Sequence, residues 1–176
     1  MNLPNKLSLL RILLVPVMVL FMYIPDWGQI AALLVFAIAS FTDYLDGHIA
    51  RSQGIVTNFG KFIDPVADKL LVLSAFVMLC YQGRMPAWAV VVVLARELSV
   101  DGLRLIAVEQ GKVIAAGPLG KLKTVSQIVC ILYLMLCGFV SLPQIVATVL
   151  IVWTVFITLW SGIYYFLRSW QHLKGA

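Results

Sequence analysis

A chain of 176 residues in which 62% of positions are hydrophobic and only 12% charged, with a mean hydropathy of +0.99, carries about half the charge of a soluble domain. That excludes a water-soluble globular class and points to an integral membrane protein. The net charge of +5 comes from thirteen Lys/Arg against eight Asp/Glu, and the basic residues are scattered between apolar spans, a pattern that suits anionic headgroups or phosphate-bearing substrates and not nucleic acid.

Six apolar segments are predicted, each long enough to cross a hydrocarbon core of about 30 Å. The first, about 7–24, has no convincing small-residue cleavage site after it and reads as a retained helix rather than a signal peptide. The others run about 29–50, 59–81, 86–108, 122–140 and 143–167. Turn-forming residues separate them at Pro25–Gly28, Gly83–Pro86, Gly117–Gly120 and Gly138–Pro143. The expectation is one all-α, polytopic domain over residues 1–176. Cys80, Cys130 and Cys137 lie in apolar runs without metal-ligand spacing and read as packing residues.

With six spans, both termini share one side of the membrane. Of the thirteen basic residues, Arg84 alone falls on the other side. By the positive-inside rule, the termini and the loop after the second span are cytoplasmic.

Half of the eight acidic residues sit in one 26-residue stretch, as Asp43, Asp46, Asp64 and Asp68. Asp43 and Asp46 are three apart on the second span, and Asp64 and Asp68 four apart on the third, so each pair projects from one helix face. Counted from the far side of the membrane at 1.5 Å per residue, Asp43 and Asp68 lie about 20 Å down and Asp46 and Asp64 about 25 Å down. Four carboxylates at matched depth repel one another unless cations intervene. All-oxygen ligation suits Mg²⁺, Mn²⁺ or Ca²⁺, and two divalent ions would neutralise four carboxylates. The structural alternative is an ion-pair network with Arg51, Lys61 and Lys69. Gly47 and Gly60 offer close approach to a ligand or to another helix, and Arg51 presents a fork suited to a phosphate.

The pattern Asp43-x-x-Asp46-Gly47-x-x-Ala50-Arg51, eight residues, then Gly60-x-x-x-Asp64-x-x-x-Asp68 resembles the signature of the CDP-alcohol phosphotransferase family. "LPNKLSLLR", "DPVADK", "ARELSVDGLR" and "GKLKT" are similar to the bacterial branch of that family that makes phosphatidylglycerophosphate. The resemblance covers nearly the whole chain. It implies a metal-dependent phosphatidyl transfer from CDP-diacylglycerol to sn-glycerol 3-phosphate with release of CMP. It further implies Asp43, Asp46, Asp64 and Asp68 as ligands of Mg²⁺ or Mn²⁺, Asp68 as the base, and Gly47, Ala50, Arg51 and Gly60 against CDP-diacylglycerol. A homodimer in the bacterial inner membrane, with the site on the cytoplasmic side, is also implied.

An acceptor bearing a phosphate calls for a second basic cluster. Arg96 is the sharpest candidate, since it falls near mid-membrane, where an arginine is costly unless paired or hydrated. Arg104, Lys121 and Lys123 complete the expected glycerol-3-phosphate site, Lys123 with the weakest case. Against this, Glu97, Asp101 and Arg104 share one helical stripe, which would allow Arg104 an internal salt bridge. Arg11, about a turn into the first span, is either part of the active-site wall or a headgroup anchor. His48 and the pair Trp153/Trp160 read as bystander and packing residues. Two other readings stand: a sibling enzyme using serine, inositol phosphate or phosphatidylglycerol, and an ion carrier with buried acids as its path. Acids clustered on one side disfavour the second.

Overall fold

The computed structural model describes the backbone of residues 3–53, 58–109 and 117–173 and the side chains of 6–43, 63–107 and 117–168. Six helices and no strand occur among them: α1 (Leu3–Tyr23), α2 (Trp27–Gln53), α3 (Asn58–Tyr81), α4 (Ala87–Glu109), α5 (Pro118–Leu136) and α6 (Gln144–Leu173). The chain is an all-helical membrane protein. Among the described residues Lys6–Tyr23, Pro118–Leu136 and Gln144–Arg168 are each long and apolar enough to span a bilayer. In α2 the described residues Trp27–Asp43 are apolar, and Asp64, Asp68 and Lys69 interrupt α3 as Arg96, Glu97, Asp101 and Arg104 interrupt α4. The charged residues that interrupt α3 and α4 include those that carry the expected chemistry.

Two compact units are resolved, one of residues 1–84 with 131–142, the other of 85–130 with 143–176. In the first, α1 packs along both α2 and α3, which make little direct contact with each other over their described lengths. The buried stripes have helical spacing: Val15, Met18 and Met22 on α1, Ala32, Phe36 and Ala39 on α2, and Leu71, Ala75 and Leu79 on α3. The outward face of α1 carries Leu10, Leu13 and Leu20, all exposed. In lipid both faces of such a helix can be apolar, because the bilayer supplies no hydrophobic drive between helices. Gly28 allows the tight reversal into α2, since a Cβ there would lie 2.6 Å from the Phe21 carbonyl oxygen.

In the second unit α4 packs on α6, and polar residues join the apolar ones in the buried surface: Ser126 and Gln127 on α5, Thr154, Thr158 and Ser161 on α6. The Ser126 carbonyl accepts from Thr154 Oγ1 at 3.3 Å and its hydroxyl oxygen from Trp153 Nε1 at 3.1 Å. Such bonds hold membrane helices together where apolar contact gives no preference.

Candidate active site

The stripe that buries α1 does not stop at Val15. One turn earlier it carries Arg11, 1% exposed, and then Ser8, fully buried. On α2 the stripe Ala32–Phe36–Ala39 reaches Asp43 next, and on α3 the stripe Leu79–Ala75–Leu71 runs back to Asp68 and Asp64. Polar groups thus continue three apolar stripes at corresponding ends.

They meet there. Arg11 Nη1 donates to Asp43 Oδ1 in an ion pair, and Ser8 Oγ donates to Asp64 Oδ1 at 2.5 Å. Ser8 and Arg11 are three residues apart, about 4.5 Å of helix rise. A single turn of α1 therefore engages an acid from each neighbouring helix, and Asp64 is met closer to the start of α1 than Asp43, in the order that the helix count anticipates. Arg11 is no headgroup anchor: its side chain is wholly buried while the Asp43 side chain keeps 37% of its surface exposed. Asp64 and Asp68 are half-buried.

The donor chemistry fits a hard divalent cation, since Asp43, Asp64 and Asp68 offer carboxylate oxygen only. Among the described residues no three acidic, histidine or cysteine side chains stand close enough together to hold an ion. The fourth carboxylate of the motif, Asp46, has its side chain outside the described residues, as do Gly47, Ala50, Arg51 and Gly60.

The expected basic residues belong to the second unit, and their side chains part company. Arg96 Nη1 donates to Glu97 Oε1 at 3.4 Å and Nη2 to Ser161 Oγ at 3.2 Å. Lys123, buried, donates to the same Glu97 oxygen at 2.5 Å. Arg104 takes neither Glu97 nor Asp101: its Nε donates to the Tyr165 hydroxyl at 3.1 Å, with its guanidinium 5.4 Å from the ring centre. Lys121 is exposed. Glu97, 4% exposed, thus joins Arg96 and Lys123, while Arg104 and Lys121 stand apart from that pair. Arg96 also lines an apolar groove of about 380 Å³ between α4 and α6, where Gly162 leaves room for its stem.

Ser8, Tyr165 and Ser161 are partners that sequence reasoning missed. For Ser8 a signal existed, since it shares the stripe of Arg11, Val15 and Met18.

Acids on α2 and α3 contact the first turns of α1 in a membrane protein, and the chain belongs to the CDP-alcohol phosphatidyltransferase family, whose model matches residues 1–160. Among curated relatives, a Bacillus subtilis protein named CDP-diacylglycerol–glycerol-3-phosphate 3-phosphatidyltransferase is 43% identical, over 99% of this chain and 98% of the relative. One of the same name from Pseudomonas fluorescens is 37% identical over 99% and 93%. A probable phosphatidylglycerophosphate synthase of Mycobacterium tuberculosis is 38% identical over 99% and 84%.

Proposed function

We propose that this chain transfers the phosphatidyl group of CDP-diacylglycerol to sn-glycerol 3-phosphate, yielding phosphatidylglycerophosphate and CMP. The observation that carries the phosphoryl-transfer centre is the engagement of Asp43 and Asp64 by one turn of α1. The choice of acceptor rests on the names of full-length relatives.

The acceptor hydroxyl oxygen attacks the phosphorus that bears the diacylglycerol. A new P–O bond forms, the pyrophosphate P–O bond breaks, and the electron pair leaves with CMP. Asp68 accepts the hydroxyl proton. Asp43, Asp46, Asp64 and Asp68 would hold two Mg²⁺ or Mn²⁺ ions, which, when bound, neutralise charge on the pyrophosphate oxygens. Arg11 and Ser8 fix the orientation of Asp43 and Asp64. Arg51 binds a donor phosphate, with Gly47, Ala50 and Gly60 close to the donor. Arg96, Arg104 and Lys121 hold the phosphate of the acceptor, with Lys123 in a weaker position because Glu97 already takes its charge. In this reading the enzyme is a homodimer of the bacterial inner membrane, with termini and active site facing the cytoplasm.

The decisive assay supplies purified protein with CDP-diacylglycerol and, in turn, glycerol 3-phosphate, serine, inositol phosphate and phosphatidylglycerol. CMP release is expected with glycerol 3-phosphate alone. Release driven better by another alcohol would reassign the acceptor.

A further inference from the structure

The first unit has a second polar centre, at the opposite end of α1, α2 and α3 from the carboxylates, some 20 Å away by helix rise. The Met22 carbonyl near the end of α1 accepts from Gln82 Nε2 at 2.7 Å and from Gln29 Nε2 at 3.0 Å. Gln29, 7% exposed, then turns its Oε1 to Arg84 Nη1 at 3.0 Å. The Arg84 guanidinium passes directly over Gly138, where a Cβ would lie 2.7 Å from Cζ. Arg84 is therefore fixed by a neutral amide and a missing side chain. Among the described residues no carboxylate comes within ion-pair distance of it. Gln82 Oε1 is buried there without a hydrogen-bond partner.

These groups line a cavity of about 400 Å³ together with Tyr23, Tyr81 and Asp26, a size that suits a small ligand. Asp26 stands exposed in the α1–α2 turn with a left-handed backbone (φ 55), a conformation aspartate tolerates better than most residues. The rings of Tyr23 and Tyr81 lie 5.3 Å apart, both more than half exposed, and Trp27, 60% exposed, packs edge-on against Phe21 beside them. Such a collar of amphipathic aromatics marks the level of lipid headgroups. Burial draws the Arg84 pKa below its usual value, and an anion alongside would offset that desolvation.

We propose that this cavity is a lipid-headgroup site that takes a phosphodiester carrying an ammonium group, with Arg84 on the phosphate and Asp26 on the ammonium. One cation and one carboxylate around a single cavity match a zwitterion. The carboxylate also disfavours a phosphate without a compensating positive charge. The site lies away from the carboxylates of the proposed chemistry and needs none of them.

Delipidated protein in detergent, examined by native mass spectrometry with phosphatidylethanolamine, phosphatidylglycerol or inorganic phosphate in separate arms, tests this. One phosphatidylethanolamine per chain is expected. Its affinity should fall at least tenfold in Arg84→Gln and in Asp26→Asn, and stay unchanged in Asp68→Asn. CMP release by the Arg84 and Asp26 variants should match the parent, showing that they are folded. Gly138→Ala, which puts a methyl into the guanidinium's space while keeping the charge, should weaken binding too and serves if Arg84→Gln does not fold. Undiminished binding in the folded variants would overturn the site. Equal binding of phosphatidylglycerol would overturn the role of Asp26, and saturation by inorganic phosphate with no lipid bound would overturn the headgroup as its source.

Discussion

Arg11 of α1 and Asp43 of α2, 32 residues apart in sequence, form an ion pair in which the arginine is wholly enclosed and the carboxylate keeps more than a third of its surface open. The guanidinium donates to one carboxylate oxygen from within the helix packing. Arg11→Gln should lower kcat by about 100-fold, the cost of a small misplacement at a reacting centre, with little change in the KM for either substrate. Arg11→Lys, which keeps the charge but loses the rigid fork, should recover part of that loss. Parent-like turnover in a folded Arg11→Gln variant would refute the positioning role.

Ser8 is the milder counterpart. A hydrogen bond to a charged group is worth roughly 1.5–3 kcal/mol, so Ser8→Ala should cut kcat by about 10- to 100-fold and raise the Mg²⁺ concentration needed for half-maximal rate. Ser8→Thr keeps the hydroxyl and should behave nearly as the parent. A Ser8→Ala variant with an unchanged Mg²⁺ midpoint would mean that the Asp64 contact is only structural.

Much of this site can be read from the sequence, and the limits have physical causes. The four-residue spacing of Asp64 and Asp68 puts them on one face of α3, because helical periodicity holds in any solvent. What escapes is the partner. In a water-soluble helix the buried stripe announces itself by hydrophobicity, whereas α1 is apolar on both faces. The placement of Ser8 and Arg11 on its packed side has to be inferred from the polar residues themselves. Arg104 shows the opposite limit. Its neighbours along α4 offer a salt bridge at helical spacing, yet its contacts go to Tyr165, 61 residues away. Arg84, the one cation counted on the far side by topology, is held in a polar cavity whose parts come from the ends of three helices and from Gly138.

Asp68→Asn should abolish CMP release while leaving CDP-diacylglycerol binding within about threefold, since the amide keeps the shape and loses the basicity. The same preparation, stripped of divalent ions by a chelator, should lose activity and regain it on adding Mg²⁺ or Mn²⁺, the ions that oxygen donors favour. Near-normal turnover in Asp68→Asn would remove Asp68 as the base, and full activity under exhaustive chelation would remove the metal.

Glu97 contacts two of the basic residues, and the proposed reading gives their removal different effects. It is buried, and it takes Lys123 at 2.5 Å and Arg96 at 3.4 Å. Removing its charge takes one partner from the buried Lys123 ammonium and from Arg96, an effect of about 3–5 kcal/mol for an enclosed pair, so Glu97→Gln should lower Tm by on the order of 10 °C. Adding Lys123→Met to that variant should restore part of the loss, because the ammonium that faced Glu97 goes with it. Arg96 is different. Among the described residues its second nitrogen reaches only the Ser161 hydroxyl, a neutral group that leaves room for an anion in the proposed reading. Arg96→Gln should raise the glycerol 3-phosphate KM at least tenfold, and Lys123→Met should raise it less while costing more stability. If the two variants change places, with Lys123→Met controlling the KM and Arg96→Gln only the Tm, then Lys123 is the acceptor ligand and the Glu97 pair holds it ready for substrate.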